Sequence, residues 1–231
     1  MVIVWCILVG IAGLSLLWIG KTFRKSNPDI HSFQWKYQSA TLVIGLALLG
    51  ISGIFGQWIS LLGNLSAPVT GLAFLGVTPS DTWTSIGLTF AAVMALVTLT
   101  VVLLQTGKST KVPLRVIAIN VPIVLIFSLT NSLTEELIFR VALIQGIDHS
   151  IPYWIIALIS AVLFGGLHYF GKPGRIPGVL MAGFMAWLLS YSIIQTGGIF
   201  WAWFIHFVQD VIILSIVFAT SQMGAIKTKT S

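Results

Sequence analysis

The sequence predicts an all-α polytopic membrane protein with about seven transmembrane helices, or eight on a second interpretation. Of its 231 residues, 57% are hydrophobic and only 8% are charged, whereas a soluble domain carries about a quarter charged residues. Apolar runs of helix length recur along the whole chain, and the alternating pattern of a membrane β-barrel is absent. Basic residues are scattered over several short loops, which is typical of membrane orientation signals rather than of nucleic-acid binding.

Seven apolar segments account for the predicted spans. The first lacks a preceding basic region and is followed by its charges, so it is predicted to be a retained helix and not a signal peptide. The fourth is too long for one straight crossing, about 50 Å against a hydrocarbon core of about 30 Å. We expect it to kink near Pro122, to break around the sequence SLTNS (residues 128–132), or to leave the bilayer in part. Dividing it into two spans gives the eight-helix alternative. The segments are 1–20, 40–62, 84–106, 113–147, 152–170, 176–195 and 199–220.

The loops predict an orientation. With seven spans, every Lys and Arg except Arg140 falls in loops on one face or in the tail, and the positive-inside rule makes that face cytoplasmic. The N-terminus is then outside and the C-terminus inside. We divide the chain into N-terminal membrane helices without a motif (1–112), a membrane core (113–220) and a short cytoplasmic tail (221–231).

Six ionisable residues fall inside predicted spans, all of them in the second half of the chain. Each costs at least about 2.5 kcal/mol in hydrocarbon even on the lenient insertion scale, so such groups usually meet around a water-filled cavity. The six are Glu135, Glu136, Arg140, His168, His206 and Asp210.

Helical spacing predicts how the first three are arranged. Glu136 and Arg140 are four residues apart, so they share a face and are expected to form a structural pair. Glu135 points about 100° away from Glu136. The polar residues preceding it on the same side predict a wetted, site-lining face. They are Ser128, Asn131 and Ser132.

The remaining polar residues suit water activation. His206 and Asp210 are four apart, so the carboxylate can orient the imidazole, and Phe164 has the same spacing to His168. In one version, His168, His206 and Glu135 bind Zn²⁺, which activates a bound water. In the other, Glu135 is the general base with His168 assisting, and His206 supports the oxyanion without metal. No H-E-x-x-H zinc signature is present.

Three short stretches, taken together, resemble one family. EELIFR fits E-E-x-x-x-R, FGGLH fits F-x-x-x-H, and HFVQD fits H-x-x-x-[N/D]. In this order they resemble the CPBP family, which comprises the type II CAAX prenyl endopeptidases and bacterial relatives linked to bacteriocin processing and self-immunity. The resemblance covers about residues 113–220. It implies a four-helix catalytic core in the C-terminal half, peptidase activity and residence in a bacterial inner membrane.

The resemblance also implies residue roles. Glu135 would activate the water with His168, and Glu136 would pair structurally with Arg140. These roles describe hydrolysis of a peptide bond in a membrane-associated protein or peptide, lipidated or not, with membrane lipids as the surroundings and no nucleic acid as partner.

Two positions depart from the family pattern. Val141 stands where a small residue is usual, and Asp210 stands where the prenyl endopeptidases have Asn. His206 and the residue four positions later would stabilise the oxyanion, but an ionised Asp cannot donate a hydrogen bond. Asp210 would have to be protonated, orient His206 or bind a metal.

Two other functions remain open from the sequence. A non-catalytic membrane immunity or binding protein would keep the same scaffold without hydrolysis. A proton-coupled transporter would use the same buried acids and histidines as a relay, although the chain halves show no repeat symmetry.

Overall fold

The computed structural model describes residues 2–26, 29–55, 59–106, 114–147, 151–171 and 174–230. Within these ranges the chain is almost entirely helical, has no β-strand and confirms the all-α class. Two short 3₁₀ turns, Ala73–Leu75 and His168–Phe170, join the main elements. The helices are α1 (Val2–Ser26), α2 (Ile30–Phe55), α3 (Trp83–Thr106), α4 (Leu114–Glu136), α5 (Ala142–Gly146), α6 (Tyr153–Leu167), α7 (Arg175–Thr196) and α8 (Phe200–Thr230).

Six stretches are long and apolar enough to cross a membrane, which agrees with a polytopic membrane protein. The helix α2 is not among the six, so the predicted count of seven or eight spans stays a prediction. The described stretches are Val2–Ser26, Trp83–Gln105, Arg115–Gly146, Tyr153–Phe170, Arg175–Thr196 and Phe200–Gln222.

The long fourth segment is one continuous helix. The break expected around residues 128–132 is wrong, because this stretch lies within α4, which also contains Pro122. The irregularity comes later, as a π-helical turn at Leu137–Val141 that joins α4 to α5. Ser160 of α6 donates a hydrogen bond to the Phe139 carbonyl in this turn, at 3.0 Å. The helix is about 50 Å long and forms one candidate span.

Two helix ends differ from the predicted segments. Helix α2 begins at Ile30 and not near residue 40, because Asp29 caps it: the carboxylate accepts a hydrogen bond from the Ser32 N–H at 2.8 Å. Helix α8 continues to Thr230, so the predicted tail is helical up to that residue. The earlier start of α2 adds a turn that contains Tyr37 and Gln38.

Glycine residues allow close contacts between helices at two places in the bundle. Helices α6 and α7 approach so closely at Gly165 and Gly183 that a Cβ on Gly165 would lie 2.8 Å from the Val179 carbonyl oxygen. At the other end of the long helix, Gly146 packs directly against the Trp5 ring of α1. Helices α2 and α8 both pack against α4.

The segment 59–82 fastens the turn between α7 and α8. The Asn64 N–H donates to the Thr196 carbonyl at 2.7 Å, and the Ser60 N–H donates to the Gly197 carbonyl at 3.1 Å. Gly63 has φ +64°, and any Cβ there would overlap Thr196 and Gly198. The turn therefore holds the start of α8, two helical turns before His206.

Candidate active site

His206 lies among three carboxylates. Its Nδ1 is 2.7 Å from Glu136 Oε1, and its Nε2 is 3.5 Å from Glu135 Oε2 and 3.8 Å from Asp210 Oδ1. The spacing within α4 predicts that the side chains of Glu135 and Glu136 point in different directions. The His206 imidazole contacts both, because Nε2 faces Glu135 and Nδ1 faces Glu136.

Glu136 and Arg140 form the pair that their spacing predicts. The Arg140 Nη1 lies 3.3 Å from Glu136 Oε1, and neither side chain is exposed. The guanidinium also lies 3.9 Å from the centroid of the Phe164 ring, which is a cation–π contact. Glu136 therefore bridges Arg140 and His206, a second role that spacing within one helix does not reveal.

A hydrogen-bonded chain reaches Asp210 from α2. The Gln38 amide donates to Asn131 Oδ1 at 3.2 Å, and the Asn131 amide donates to Asp210 Oδ2 at 3.0 Å. Gln38 is buried, as is Asp210. Sequence reasoning found Asn131 but missed Gln38, because Gln38 precedes the predicted apolar segment.

His168 begins the 3₁₀ turn after α6. Its Nδ1 lies 2.9 Å from the Phe164 carbonyl oxygen. Since a carbonyl only accepts, Nδ1 carries a proton, and in the neutral ring Nε2 presents a lone pair. The Phe164 ring lies 4.2 Å from the His168 ring and 5.7 Å from the His206 ring, centroid to centroid. Phe164 thus contacts both imidazoles.

Two cavities meet at His168. One, of about 120 Å³, is lined by Glu135 and His168 together with Tyr37. The other, of about 30 Å³, is lined by His168, His206 and Asp210, and it is large enough for a water molecule. The Glu135 side chain is 14% exposed, whereas Glu136 is sealed at 0%. Glu135 is therefore the glutamate that a water or a substrate can reach.

The comparison with protein families matches residues 117–212 to the family described as type II CAAX prenyl endopeptidase Rce1-like. This segment is therefore similar to the Rce1-like family. The match supports a CAAX-type intramembrane endopeptidase in general terms and confirms the resemblance predicted from the three motifs. It spans every ionisable residue of the cluster, whereas Tyr37 and Gln38 come from outside it. Searches of curated proteins and of solved structures found no match.

Not every predicted lining residue of the Rce1-like segment reaches a cavity. Phe164 lines the larger one, and Asn131 contacts Asp210. Ser128 and Ser132 are fully buried, and the Ser132 hydroxyl donates to the Ser128 carbonyl at 2.7 Å. Neither serine lines the cavities beside His168, because α2 and α8 pack over this part of α4.

The zinc alternative requires His168, His206 and Glu135 to converge on one point. Among the residues that the structure describes, no group of three or more His, Cys, Asp or Glu side chains is arranged to hold a metal ion. Nδ1 of His206 is engaged by Glu136, and Nδ1 of His168 by the Phe164 carbonyl, so Nε2 is the nitrogen of each ring that could bind a metal. Metal dependence stays an untested prediction, and no step below passes through a metal.

Proposed function

We propose that this protein is an intramembrane endopeptidase that hydrolyses a peptide bond of a membrane-associated protein or peptide. The hydrolytic water is activated by Glu135 together with His168. One observation carries the proposal: Glu135 is the accessible glutamate of the cluster, and it shares a cavity of about 120 Å³ with His168.

The reaction balances with this chain's own groups. Glu135 accepts a proton from water as the water oxygen bonds to the carbonyl carbon, and the carbonyl π electrons move to the oxygen. His168 Nε2, as an acceptor, holds the second hydrogen of the water. When the tetrahedral intermediate collapses, the C–N bond breaks and the leaving nitrogen takes the proton from Glu135. The products are a carboxylic acid and an amine, and transfer of the acid's proton to the amine gives the carboxylate and the ammonium ion.

The other charged residues hold the site in place. A proton on His206 Nδ1 is directed at Glu136, since an ionised carboxylate only accepts. Arg140 neutralises Glu136 from the opposite side. When protonated, His206 is a buried cation 3.5 Å from Glu135, and its positive charge favours an oxyanion that develops near this glutamate. Asp210 accepts from Asn131, which favours its role as the residue that orients His206.

An apolar groove supports a lipid-linked substrate. It has a volume of about 850 Å³, lies between α1 and α8, and has Lys21 and Arg24 at one end. The groove shares Leu16, Leu17 and Tyr37 with the cavity that holds Glu135, so a chain lying in it leads to the proposed base. We place the basic end on the cytoplasmic side of a bacterial inner membrane, with the N-terminus outside.

The test is cleavage by the full-length protein in nanodiscs. The probes are quenched-fluorescence peptides ending in Cys-aliphatic-aliphatic-X, one farnesylated on cysteine and one not. Glu135→Gln should lower kcat at least about 10²-fold, as expected for loss of a general base, with an unchanged melting temperature. Asp81→Asn, which replaces a partly exposed carboxylate in the 59–82 segment that lines neither cavity, is the control for activity. Equal turnover of either peptide by wild type and Glu135→Gln would contradict the proposal.

A further inference from the structure

The cavity at Glu135 is rich in acceptors and poor in donors. Among the described residues that line it, only three have polar side chains: Tyr37, Glu135 and His168. A carboxylate only accepts, and neutral His168 presents a lone pair on Nε2. His206 lines the smaller cavity instead. A peptide carbonyl entering the larger cavity therefore finds one neutral side-chain donor there, the Tyr37 hydroxyl.

We propose that Tyr37 is a further catalytic residue, whose phenolic O–H donates a hydrogen bond to the carbonyl oxygen of the scissile peptide bond. The inference rests on the proposed function and adds a residue from α2, outside the segment that matches the family. The bond strengthens as the carbonyl oxygen becomes an oxyanion, because its negative charge grows in the transition state. Tyr37 keeps its proton throughout, and the water's proton still passes to Glu135 and on to the leaving nitrogen.

The ring of Tyr37 is held in place. It stacks on Phe33 with centroids 5.7 Å apart and planes 15° apart. On α1, a Cβ added to Gly20 would lie 3.2 Å from Tyr37 Cε2, so this glycine lets α1 approach the ring. A positioned donor costs no reorganisation at the moment of reaction.

These ring contacts explain an aromatic residue but not a hydroxyl. Phenylalanine would stack and pack equally well at position 37. No described residue forms a hydrogen bond with the Tyr37 hydroxyl, while the carboxylates of Glu135 and Asp210 lie within electrostatic range of the phenol. Because Tyr37 lines the cavity, its hydroxyl can donate a hydrogen bond to a group that arrives there.

Tyr37 also lies where the substrate has to pass. It lines both the groove of about 850 Å³ and the cavity of about 120 Å³. A chain that enters along the groove and places its carbonyl carbon near Glu135 therefore passes the phenol. Donor and base then contact the same peptide group, from α2 and α4 respectively.

The test compares Tyr37→Phe with wild type in nanodiscs, using the farnesylated reporter peptide. Removing one oxyanion donor lowers kcat about 10²–10³-fold, and we expect KM to stay within about threefold because the ring is retained. Tyr191→Phe is the control, since Tyr191 packs against Trp187 on α7 with ring centroids 4.9 Å apart and lines neither cavity. Melting temperatures show that each variant folds.

A second readout separates catalysis from binding. A phosphinate that replaces the scissile bond mimics the tetrahedral intermediate, so its affinity should fall in Tyr37→Phe by the same factor as kcat/KM. An unchanged kcat, an effect on KM alone, or an unchanged phosphinate affinity would each overturn the assignment of Tyr37. If wild type cleaves no better than Glu135→Gln, the proposed function fails first. If Glu135→Gln is inactive and Tyr37→Phe is fully active, only the Tyr37 inference fails.

Discussion

Replacing Arg140 with methionine should destabilise the protein strongly. Arg140 is fully buried, with its guanidinium 3.3 Å from Glu136 and 3.9 Å from the Phe164 ring centroid. Methionine has a similar length and fills the space with apolar atoms. The change therefore removes the charge while leaving little cavity, and Glu136 keeps only His206, 2.7 Å away, as a cationic partner.

The expected loss follows from these contacts. Removing one partner of a buried ion pair costs about 3–5 kcal/mol, because the other charge stays buried. Loss of the desolvated cation–π contact adds about 2 kcal/mol, and the remaining contact between Glu136 and His206 offsets part of the total. We expect about 3–5 kcal/mol in the free energy of unfolding. At about 2–4 °C per kcal/mol for a chain of this size, the melting temperature should fall by roughly 6–20 °C.

The assay is thermal unfolding in detergent, followed by tryptophan fluorescence. Arg115→Met, which removes an exposed arginine, should change the free energy of unfolding by no more than about 0.5 kcal/mol. The double variant Glu136→Gln with Arg140→Met removes both charges and should recover at least half of the loss. The reasoning would be refuted if the melting temperature of Arg140→Met fell by less than about 2 °C. It would also be refuted if the double variant were no more stable than Arg140→Met.

Three further predictions concern other parts of the molecule. Gln38→Leu leaves the Asn131 amide oxygen without its donor, so the free energy of unfolding should fall by about 1–3 kcal/mol. Its kcat for the farnesylated peptide should fall with KM little changed, and an unchanged kcat would show that the chain to Asp210 does not affect turnover. Gly165→Leu brings a side chain onto the Val179 carbonyl, 2.8 Å from the added Cβ, and should cost about 1–3 kcal/mol, measured as a lower melting temperature; equal stability would mean that α6 and α7 separate easily. The Thr78 N–H and hydroxyl donate to Asp81 and lower its pKa. The ionised Asp81 carboxylate stabilises the fold fully above its unfolded pKa of about 3.9, and this stabilisation is lost as the pH falls through the lower folded pKa. In Asp81→Asn the melting temperature should therefore decline less steeply on the acid side.

The fold class and the ionisable cluster were predictable because unpaired polar groups carry a high free-energy cost in the hydrocarbon of a membrane. Apolar runs of span length admit few structures other than helices, and charges in such runs require partners. The pair of Glu136 and Arg140 follows from spacing along one helix. The contact between Glu136 and His206 joins α4 to α8, and its geometry depends on how two helices pack, which one sequence does not contain.

The contribution of α2 was not predictable for a different reason. Hydropathy places the start of the second span near residue 40, because Gln34, Lys36 and Gln38 lower the local average. The helix nevertheless starts at Ile30, directly after Asp29, whose carboxylate caps it. This part of α2 is polar because Gln38 contacts the polar side chain of Asn131. The same polarity lowers its hydropathy, so a hydropathy-based prediction leaves it out of the span.

The π-helical turn at residues 137–141 reconciles two registers within one helix. Before it, Glu135 must face the cavity; after it, Gln145 must meet the Ser52 hydroxyl at 2.9 Å, and Gly146 must face Trp5. A uniform α-helix advances about 100° per residue, so one residue more or fewer would rotate one end relative to the other. Single π-helical turns inside α-helices are frequent at functional sites. Here the turn gives the two parts of the long helix different side-chain directions: the carboxylates of the first part face His206, while Gln145 and Gly146 of the second part face α2 and α1.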